Sequence, residues 1–324
     1  MRVLVIGAGA VGGYFGGRLL EAGRDVTFLV RPRRRAELAQ RGLKIVSPVG
    51  DVTIAEPPTV TSEDLPHPFD LVLLSCKAFD LEAAIPSFAR AVGPDTAILP
   101  LLNGMLHLDM LDARFGPARV IGGQCGIAVT LGKDGTVIHL NNLHVLGFGE
   151  RDDTSSERVH AISALMEGAK FETHASTAIV QEMWEKWVLL ASMAASTSLM
   201  RAPIGDICSA PGGIDLVLRL IEECRSVATL EGYPPRPAFL DRTRAMLTAT
   251  DSPLTASMFR DIERNAPIEA DHIIGDLVRL GSRQGTSGLE LPALRTAYTH
   301  LKAYEARRRR TLAAGQPAVS ASAA

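Results

Sequence analysis

A glycine-rich turn joins the first apolar run of this chain to its first helical pattern. Gly7, Gly9 and Gly12 stand in the sequence G-A-G-A-V-G, after the strand-like residues 2–6 and before the helical pattern of residues 11–21. A G-x-G-x-x-G turn between a strand and a helix opens a βαβ unit, and it is far more informative in that context than elsewhere. The chain is therefore predicted to begin with a doubly wound α/β fold.

Each glycine of the turn has its own predicted task. Gly7 permits a tight turn off the strand, Gly9 lets a pyrophosphate approach the backbone, and Gly12 lets the helix pack closely on the sheet. The N-terminus of the helix points at the same place, and its N–H groups favour phosphate. A tight turn without a ligand is the alternative interpretation. The expected dinucleotide-binding loop comprises Gly7, Ala8, Gly9, Ala10, Val11 and Gly12.

An arginine stands where an NAD-binding chain of this kind carries an acidic residue. About 20 residues beyond the glycines, Asp or Glu would bind the ribose 2′-hydroxyl, but this chain has Arg31. A guanidinium at that point forms charge-assisted hydrogen bonds with a 2′-phosphate, so NADPH is favoured over NADH. Arg33, Arg34 and Arg35 follow, and a solvated basic loop is the alternative.

Short apolar runs alternate with helical patterns over the first half of the chain, as repeated βαβ units would. Residues 43–55 predict two short strands, and residues 127–148 predict hairpins that extend the same sheet. We expect a Rossmann-type, mostly parallel sheet with some antiparallel members, in a domain of residues 1–176. Four apolar runs predict strands that are covered on both faces: residues 3–6, 26–30, 71–75 and 97–101.

Strand patterns end near residue 175, and long helical patterns replace them. We therefore expect a second, all-helical domain over residues 177–310. Residues 311–324 offer too little apolar area to offset the entropy of ordering, so we expect a disordered tail there. The predicted helices are residues 179–200, 214–231, 238–247, 268–281 and 292–310.

The size and charge of the chain fit two soluble domains with a small-molecule partner. Its 324 residues suffice for two cores, and 46% hydrophobic with 22% charged residues is a globular composition. The net charge of -2 gives no field that would draw nucleic acid or an anionic membrane. No apolar stretch reaches the roughly 18 to 20 residues of a membrane span, and there is no leader pattern. We expect a cytoplasmic location.

The cysteines and histidines give no metal-binding pattern. Cys76, Cys125, Cys208 and Cys224 lie far apart with no C-x-x-C pair, so we expect buried thiols in a reducing compartment. The histidines show no metal-ligand spacing. No metal site is predicted.

Four polar residues stand where a ligand site could form. Lys77 and Asn103 each follow a predicted strand, at the sheet edge where open α/β folds bind ligands. Lys186 lies near the start of a long apolar helical pattern, and partial desolvation would help its ammonium to release a proton. Glu269 lies on the predicted helix of residues 268–281. The alternatives are ordinary loop residues for the first two and solvated side chains for the others.

Five short motifs follow one another in a specific order along the chain. They are G-A-G-A-V-G at Gly7, C-K-A at Cys76, L-N-G-M at Leu102, W-E-K-W at Trp184, and S-M-F-R-D-I at Ser257 with Glu269 beyond it. With these motifs the chain resembles the ketopantoate reductase family from Met1 to about Lys302. The resemblance implies a Rossmann domain joined to an all-helical domain, with the active site in the cleft between them.

The resemblance also implies a role for each matching residue. Lys186 would act as general acid toward the carbonyl oxygen of the substrate while NADPH delivers hydride to its carbon. Glu269 would hold that lysine and the substrate hydroxyl, and Ser257 would bind the substrate carboxylate. Asn103 would lie beside the nicotinamide and the substrate, with Lys77 near the cofactor. The implied reaction reduces 2-dehydropantoate to pantoate, a step of pantothenate biosynthesis.

Three positions depart from the family pattern. The family has asparagines one and two turns after the lysine and another just before a later glycine, where this chain has Leu190, Ala194 and Ile204. A site without those amides loses hydrogen-bond partners for a hydroxylated substrate. We expect NADPH-dependent reduction of a 2-oxo acid, with 2-dehydropantoate as nominal substrate and a less polar 2-oxo acid or ketone as the alternative. A non-catalytic NADP sensor is a more distant alternative, and the oligomeric state, a homodimer included, stays open.

Overall fold

The chain divides into an α/β unit and a helical unit. The computed structural model describes residues 1–66, 68–283 and 288–314. One compact unit is Met1–Val180, and the other runs from Gln181 onward. The strands of the described residues all lie in the first unit, and the second is helical. The predicted fold class, a Rossmann-type domain followed by a helical domain, is confirmed.

The elements of each unit follow in chain order. The strands are β1 (Arg2–Ile6), β2 (Asp25–Leu29), β3 (Leu43–Val46), β4 (Val52–Ile54), β5 (Thr59–Val60), β6 (Phe69–Leu74), β7 (Val92–Pro100), β8 (Gly122–Leu131), β9 (Val137–Gly149) and β10 (Glu172–Ala175). The first unit has helices α1 (Ala10–Glu21), α2 (Pro32–Arg41), α3 (Leu81–Phe88), α4 (Leu106–Phe115) and α5 (Glu157–Met166). Helix α6 (Ile179–Met200) begins at the unit boundary, and the second unit continues with α7 (Ile204–Ser209), α8 (Gly213–Leu230), α9 (Pro237–Leu247), α10 (Ser257–Glu263), α11 (Asp276–Leu280) and α12 (Pro292–Ala313).

A parallel sheet forms the centre of the first unit. Its strand order is β5-β2-β1-β6-β7, and every pair is parallel. At its carboxyl edge Ile6 pairs with Leu29 and Leu74, and Leu74 pairs with Pro100. The segments that follow β1, β2, β6 and β7 therefore leave the sheet at one edge, which is where open α/β folds bind ligands.

The antiparallel strands form a second sheet. The predicted short strands β3 and β4 pair antiparallel, and the predicted hairpin is β8 with β9. The prediction that this hairpin extends the parallel sheet is wrong, because β9 pairs with β3, β8 and β10 in a separate sheet of order β10-β9-β3-β4. Pairing between β3 and β9 joins residues that are distant in sequence, so local periodicity does not reveal it.

Helix α1 packs closely on both sheets, because glycines line two of its faces. A Cβ at Gly16 would lie 2.7 Å from the Phe28 ring of β2, in the parallel sheet. A Cβ at Gly13 would lie 2.8 Å from Val137 of β9, in the second sheet. Interiors packed this tightly do not absorb an added methyl group without movement. The helix therefore fixes the spacing of the two sheets.

The helices of the second unit match the sequence pattern closely. Helix α6 has the predicted bounds, α8 begins and ends one residue earlier than predicted, and α9 begins one residue earlier. The short helices α7 and α10 were not predicted as helices. Helix α12 continues to Ala313 rather than ending at residue 310, while residues 315–324 of the predicted disordered tail lie outside the described residues.

The cysteine prediction holds for three residues out of four. Cys125, Cys208 and Cys224 are buried, and burial raises the pKa of the Cys224 thiol to about 12. Cys76 is partly exposed, because it lies in the loop that leaves the sheet after β6. Within the described ranges, no group of His, Cys, Asp and Glu side chains could hold a metal ion. None of the described helices is long and apolar enough to cross a membrane.

We predict that Gly12→Ala lowers the free energy of unfolding by about 1 to 3 kcal/mol. The added Cβ would lie 2.3 Å from the carbonyl oxygen of Gly7, so the loop or the helix has to move. Chemical denaturation of the purified protein measures the effect. Gly9→Ala is the matched control, because nothing lies within 4 Å of a Cβ there, and its change should stay within about 0.5 kcal/mol. Equal destabilisation by both variants would contradict this close approach.

Candidate active site

One side of the glycine loop is open, and hydrogen bonds hold its other side to neighbouring segments. Gly7 has a φ of +90°, and its N–H donates to the carbonyl of Leu29 at 2.9 Å, which ties the loop to the end of β2. The Ser75 hydroxyl donates to the Ile6 carbonyl at 2.9 Å. Gly9 precedes α1, no side chain caps that helix end, and the space above Gly9 is open. The loop thus presents bare backbone on one side, as a pyrophosphate needs.

Arg31 lies at the same sheet edge, directly before α2. Its side chain is 79% exposed, and its Nη2 lies 3.1 Å from Oδ1 of Asp80, which follows β6. An exposed ion pair of this kind contributes little to stability. The guanidinium can therefore exchange Asp80 for another anion at little cost.

The other arginines of the basic run have structural partners. Arg34 is largely buried, with 17% of its side chain exposed, and donates to the carbonyls of Ala8 and Gly135 at 3.2 Å each. Arg33 and Arg35 form ion pairs with carboxylates of the first unit. Arg34 thus ties the glycine loop to the turn between β8 and β9, a role that the sequence run does not reveal.

Lys77 and Asn103 follow β6 and β7 at this edge. Lys77 is exposed and precedes a short 3-10 turn, Ala78–Asp80. Asn103 is half-buried, and the next residue, Gly104, has a φ of +78°, which lets the chain turn sharply. The strand register brings the backbone of both segments to the edge that holds the glycine loop.

In the second unit, α6 is held firmly on both sides of Lys186. Lys186 is half-buried, whereas Glu185 and Trp187 are buried. Burial alone would raise the pKa of Glu185, but hydrogen bonds from the Arg236 backbone and guanidinium, at 2.8 Å each, outweigh it and lower the pKa. The Trp187 indole donates to the carbonyl of Ile273 at 2.9 Å. The position of Lys186 is therefore fixed by its two neighbours.

Glu269 lies just before its helix rather than within it. The predicted helix of residues 268–281 is wrong at its start, because regular helical structure begins at Ala270. The carbonyl of Glu269 accepts from the Ile273 N–H at 3.0 Å, and the first turn, Asp271–Gly275, is π-helical. Glu269 is 8% exposed. Since Trp187 bonds to Ile273, the residue beside Lys186 also holds the turn that follows Glu269.

The first turn after Glu269 is also held from α12. Asp271 accepts from the Tyr298 hydroxyl at 2.6 Å and from the Lys302 ammonium at 2.9 Å. Burial and this hydrogen bond raise the pKa of Tyr298 to about 12. Burial opposes ionisation of Asp271, yet the bonds from Tyr298 and Lys302 outweigh it and lower the pKa of that carboxyl. The π-helical turn is therefore anchored by two elements.

Ser257 is the exposed first residue of α10. The backbone N–H of Ala256, its neighbour, donates to the buried hydroxyl of Thr197 on α6 at 3.4 Å. Helix α6 thus positions Lys186 directly, the Glu269 turn through Trp187, and the Ser257 segment through Thr197. Sequence reasoning missed the roles of Trp187 and Thr197, because a tryptophan and a threonine on an apolar helix give no signal of a particular backbone partner.

The three residues that replace the family asparagines differ in burial. Leu190 lies one turn after Lys186 and is half-buried. Ala194 is 2% exposed, and Ile204 is 0% exposed within the apolar cluster that includes Val217 and Leu240. Ile204 therefore has no surface from which to contact a substrate in this structure. Of the three, Leu190 has the most surface for such contact.

The chain is similar to known proteins over most of its length. Residues 3–153 match the family described as Ketopantoate reductase PanE/ApbA, and residues 178–305 match its C-terminal region. A relative from Bacillus subtilis (strain 168), the uncharacterized oxidoreductase YkpB, is 36% identical over 306 residues, which cover 94% of this chain and 99% of the relative.

Solved structures share the fold over most of the chain. A 2-dehydropantoate 2-reductase from Geobacter metallireducens GS-15 has a TM-score of 0.84 and 27% identity, covering 94% of this chain and 99% of that one. A D-mandelate dehydrogenase in a ternary structure with NADH and anilino(oxo)acetate has a TM-score of 0.84 at 20% identity, covering 95% and 100%. The second likeness shows the fold alone. Because both family regions match and together span most of the chain, the protein belongs to the ketopantoate reductase family and is an oxidoreductase.

Proposed function

We propose that this protein uses NADPH to reduce a 2-oxo acid to the 2-hydroxy acid, with Lys186 as the general acid. The observation that carries the proposal is the position of Lys186, half-buried on α6 between two anchored neighbours, Glu185 and Trp187. A proton donor has to be held within reach of one substrate atom, and fixed side chains of this kind provide that precision. The substrate class and the reduction follow the family to which the chain belongs.

The side chains of the second unit have distinct proposed tasks. Lys186 Nζ would give a proton to the carbonyl oxygen, and NADPH, when bound, would supply the hydride for the carbonyl carbon. Glu269 holds the lysine ammonium and the developing hydroxyl, and its burial strengthens that interaction because the local dielectric is low. The Ser257 hydroxyl binds the substrate carboxylate.

The first unit is the proposed cofactor site. Residues 7–12 present bare backbone to the pyrophosphate, with Lys77 and Asn103 at the same sheet edge. Arg31 binds the 2′-phosphate in place of Asp80, because a doubly charged phosphate forms stronger hydrogen bonds with a guanidinium than an exposed carboxylate does. Asn103 also contacts the substrate in this proposal.

A less polar 2-oxo acid is the second candidate substrate, and Leu190 favours it. An aliphatic side chain one turn after Lys186 leaves a substrate hydroxyl without a partner there. The fold itself does not choose the substrate, since a D-mandelate dehydrogenase shares it. A cytoplasmic location, a homodimer and the pantothenate pathway stay predictions, and a non-catalytic NADP sensor would have no need of the anchored lysine.

Lys186→Ala is expected to lower kcat about 100-fold to 10,000-fold, the usual contribution of general acid catalysis. The dissociation constant for NADPH should stay unchanged, because the proposed cofactor residues belong to the first unit. Steady-state kinetics and a fluorescence titration with NADPH measure the two effects. Lys170→Ala, an exposed lysine of the first unit, is the control. Retention of most activity by Lys186→Ala would show that the proposed mechanism is wrong.

Arg31→Asp is expected to weaken NADPH binding about 10-fold to 100-fold, because it removes charge-assisted hydrogen bonds and adds a like charge. NADH binding should change less. Arg33→Asp is the matched control, since Arg33 is 93% exposed two residues away. The measurement is the dissociation constant of each variant for NADPH and for NADH. Equal constants for the two cofactors in the unmodified protein would show that Arg31 does not select the 2′-phosphate.

A panel of 2-oxo acids, assayed by the loss of NADPH absorbance, is expected to give a higher kcat/KM for a less polar acid than for 2-dehydropantoate. Leu190→Asn should move that preference toward 2-dehydropantoate by about 10-fold, because it restores a hydrogen-bond partner. Leu218→Asn, at an exposed position of α8, is the control. If 2-dehydropantoate is already the best substrate of the unmodified protein, Leu190 does not set the substrate preference.

A further inference from the structure

Arg260 is a half-buried cation one turn after Ser257 on α10. Its Nη1 donates to the carbonyl oxygen of Thr255 at 2.8 Å and to the Thr255 hydroxyl at 3.2 Å. Across the described parts of the chain, no carboxylate forms an ion pair with it. A charged group that is partly removed from water without an opposite charge is destabilising. The described residues therefore stabilise the charge of the Arg260 guanidinium only weakly.

Burial and neighbouring charges also act on the charged form of Arg260. Burial lowers the pKa of Arg260 below its ordinary value, because it disfavours the charged form. The neighbouring Asp261 opposes that shift, and the like charge of Arg264 adds to it. A guanidinium nevertheless stays protonated in proteins. The site around Arg260 therefore carries a positive charge that an anionic ligand would stabilise.

The contact with Thr255 fixes where the guanidinium lies. Thr255 precedes α10, so the Arg260 side chain folds back along the helix toward its first residue, Ser257. Residues three apart on a helix lie on one face, and Ser257 and Arg260 have this spacing. The Nε and Nη2 groups of Arg260 donate to none of the described residues. Such a pair of parallel N–H groups fits the two oxygens of a carboxylate.

We infer that Arg260 binds the carboxylate of the 2-oxo acid through its Nε and Nη2 groups, beside the Ser257 hydroxyl, and that it selects acids over neutral ketones. This inference rests on the proposed function, from which it takes the substrate class. A phosphate of the dinucleotide would present the same anionic oxygens, so the experiment has to separate the two sources.

The test compares Arg260→Met and Arg260→Lys with the unmodified protein, using the best 2-oxo acid of the panel and its neutral primary amide. For Arg260→Met we expect KM for the acid to rise about 10-fold to 100-fold, because a charge-assisted bidentate contact is lost. The carboxylate does not react, so its contact is the same before and during hydride transfer, and kcat should change much less. KM for the amide and the dissociation constant for NADPH should stay unchanged.

Two further variants distinguish loss of the carboxylate contact from general damage to the fold. Arg260→Lys retains the charge without the planar fork, so its KM for the acid should lie between those of the other two proteins. Arg242→Met, at an exposed position of α9, should leave every parameter unchanged. Calorimetric titration of each protein with the 2-oxo acid in the presence of NADP gives the same comparison without turnover.

Each result has a defined consequence. An unchanged ratio of acid to amide kcat/KM in Arg260→Met would overturn the inference. Weaker NADPH binding with an unchanged KM for the acid would also overturn it, and would assign Arg260 to the cofactor phosphate. If the unmodified protein neither reduces nor binds any 2-oxo acid, the proposed function itself fails, a result distinct from a loss confined to Arg260 variants.

Discussion

The close approach of α1 to the strands around it is the constraint on which the first unit depends. A Cβ at Gly12 would lie 2.2 Å from the Ser75 hydroxyl and 2.3 Å from the carbonyl oxygen of Gly7. The helix can therefore start after a turn of only three residues, 7–9, and point its first turn at the sheet edge. Gly13, on another face, lets the second sheet approach the same helix. The glycines thus set the shape of the loop and the spacing of two sheets at once.

Helix α6 has the corresponding position in the second unit. Its apolar surface buries it, and two of its polar groups bond to backbone of other segments: Trp187 to the Ile273 carbonyl and Thr197 to the Ala256 N–H. A buried polar group without a partner costs about 1 to 3 kcal/mol, so these bonds strongly favour one arrangement of the segments. The positions of Ser257 and Glu269 follow from them.

Three arginines show how one side chain takes on different tasks in different surroundings. Arg31 is exposed and weakly paired, and Arg34 is largely buried and bonded to backbone carbonyls. Arg260 is half-buried with no ion-pair partner among the residues that the structure describes. Solvent screening makes the first exchangeable, and hydrogen bonding makes the second structural. The third has unbalanced charge and open donors, the combination that suits recognition of an anion.

The sequence by itself determined the fold class, the glycine loop and most helices of the second unit, because strand runs and helical periods are local properties of the chain. The motif order also identified the family. Only the tertiary structure decided that β8 and β9 form a second sheet, that Glu269 precedes its helix, and that Ile204 is wholly buried. Strand pairing, burial and hydrogen-bond partners depend on residues far apart in the chain, and local periodicity carries no information about them.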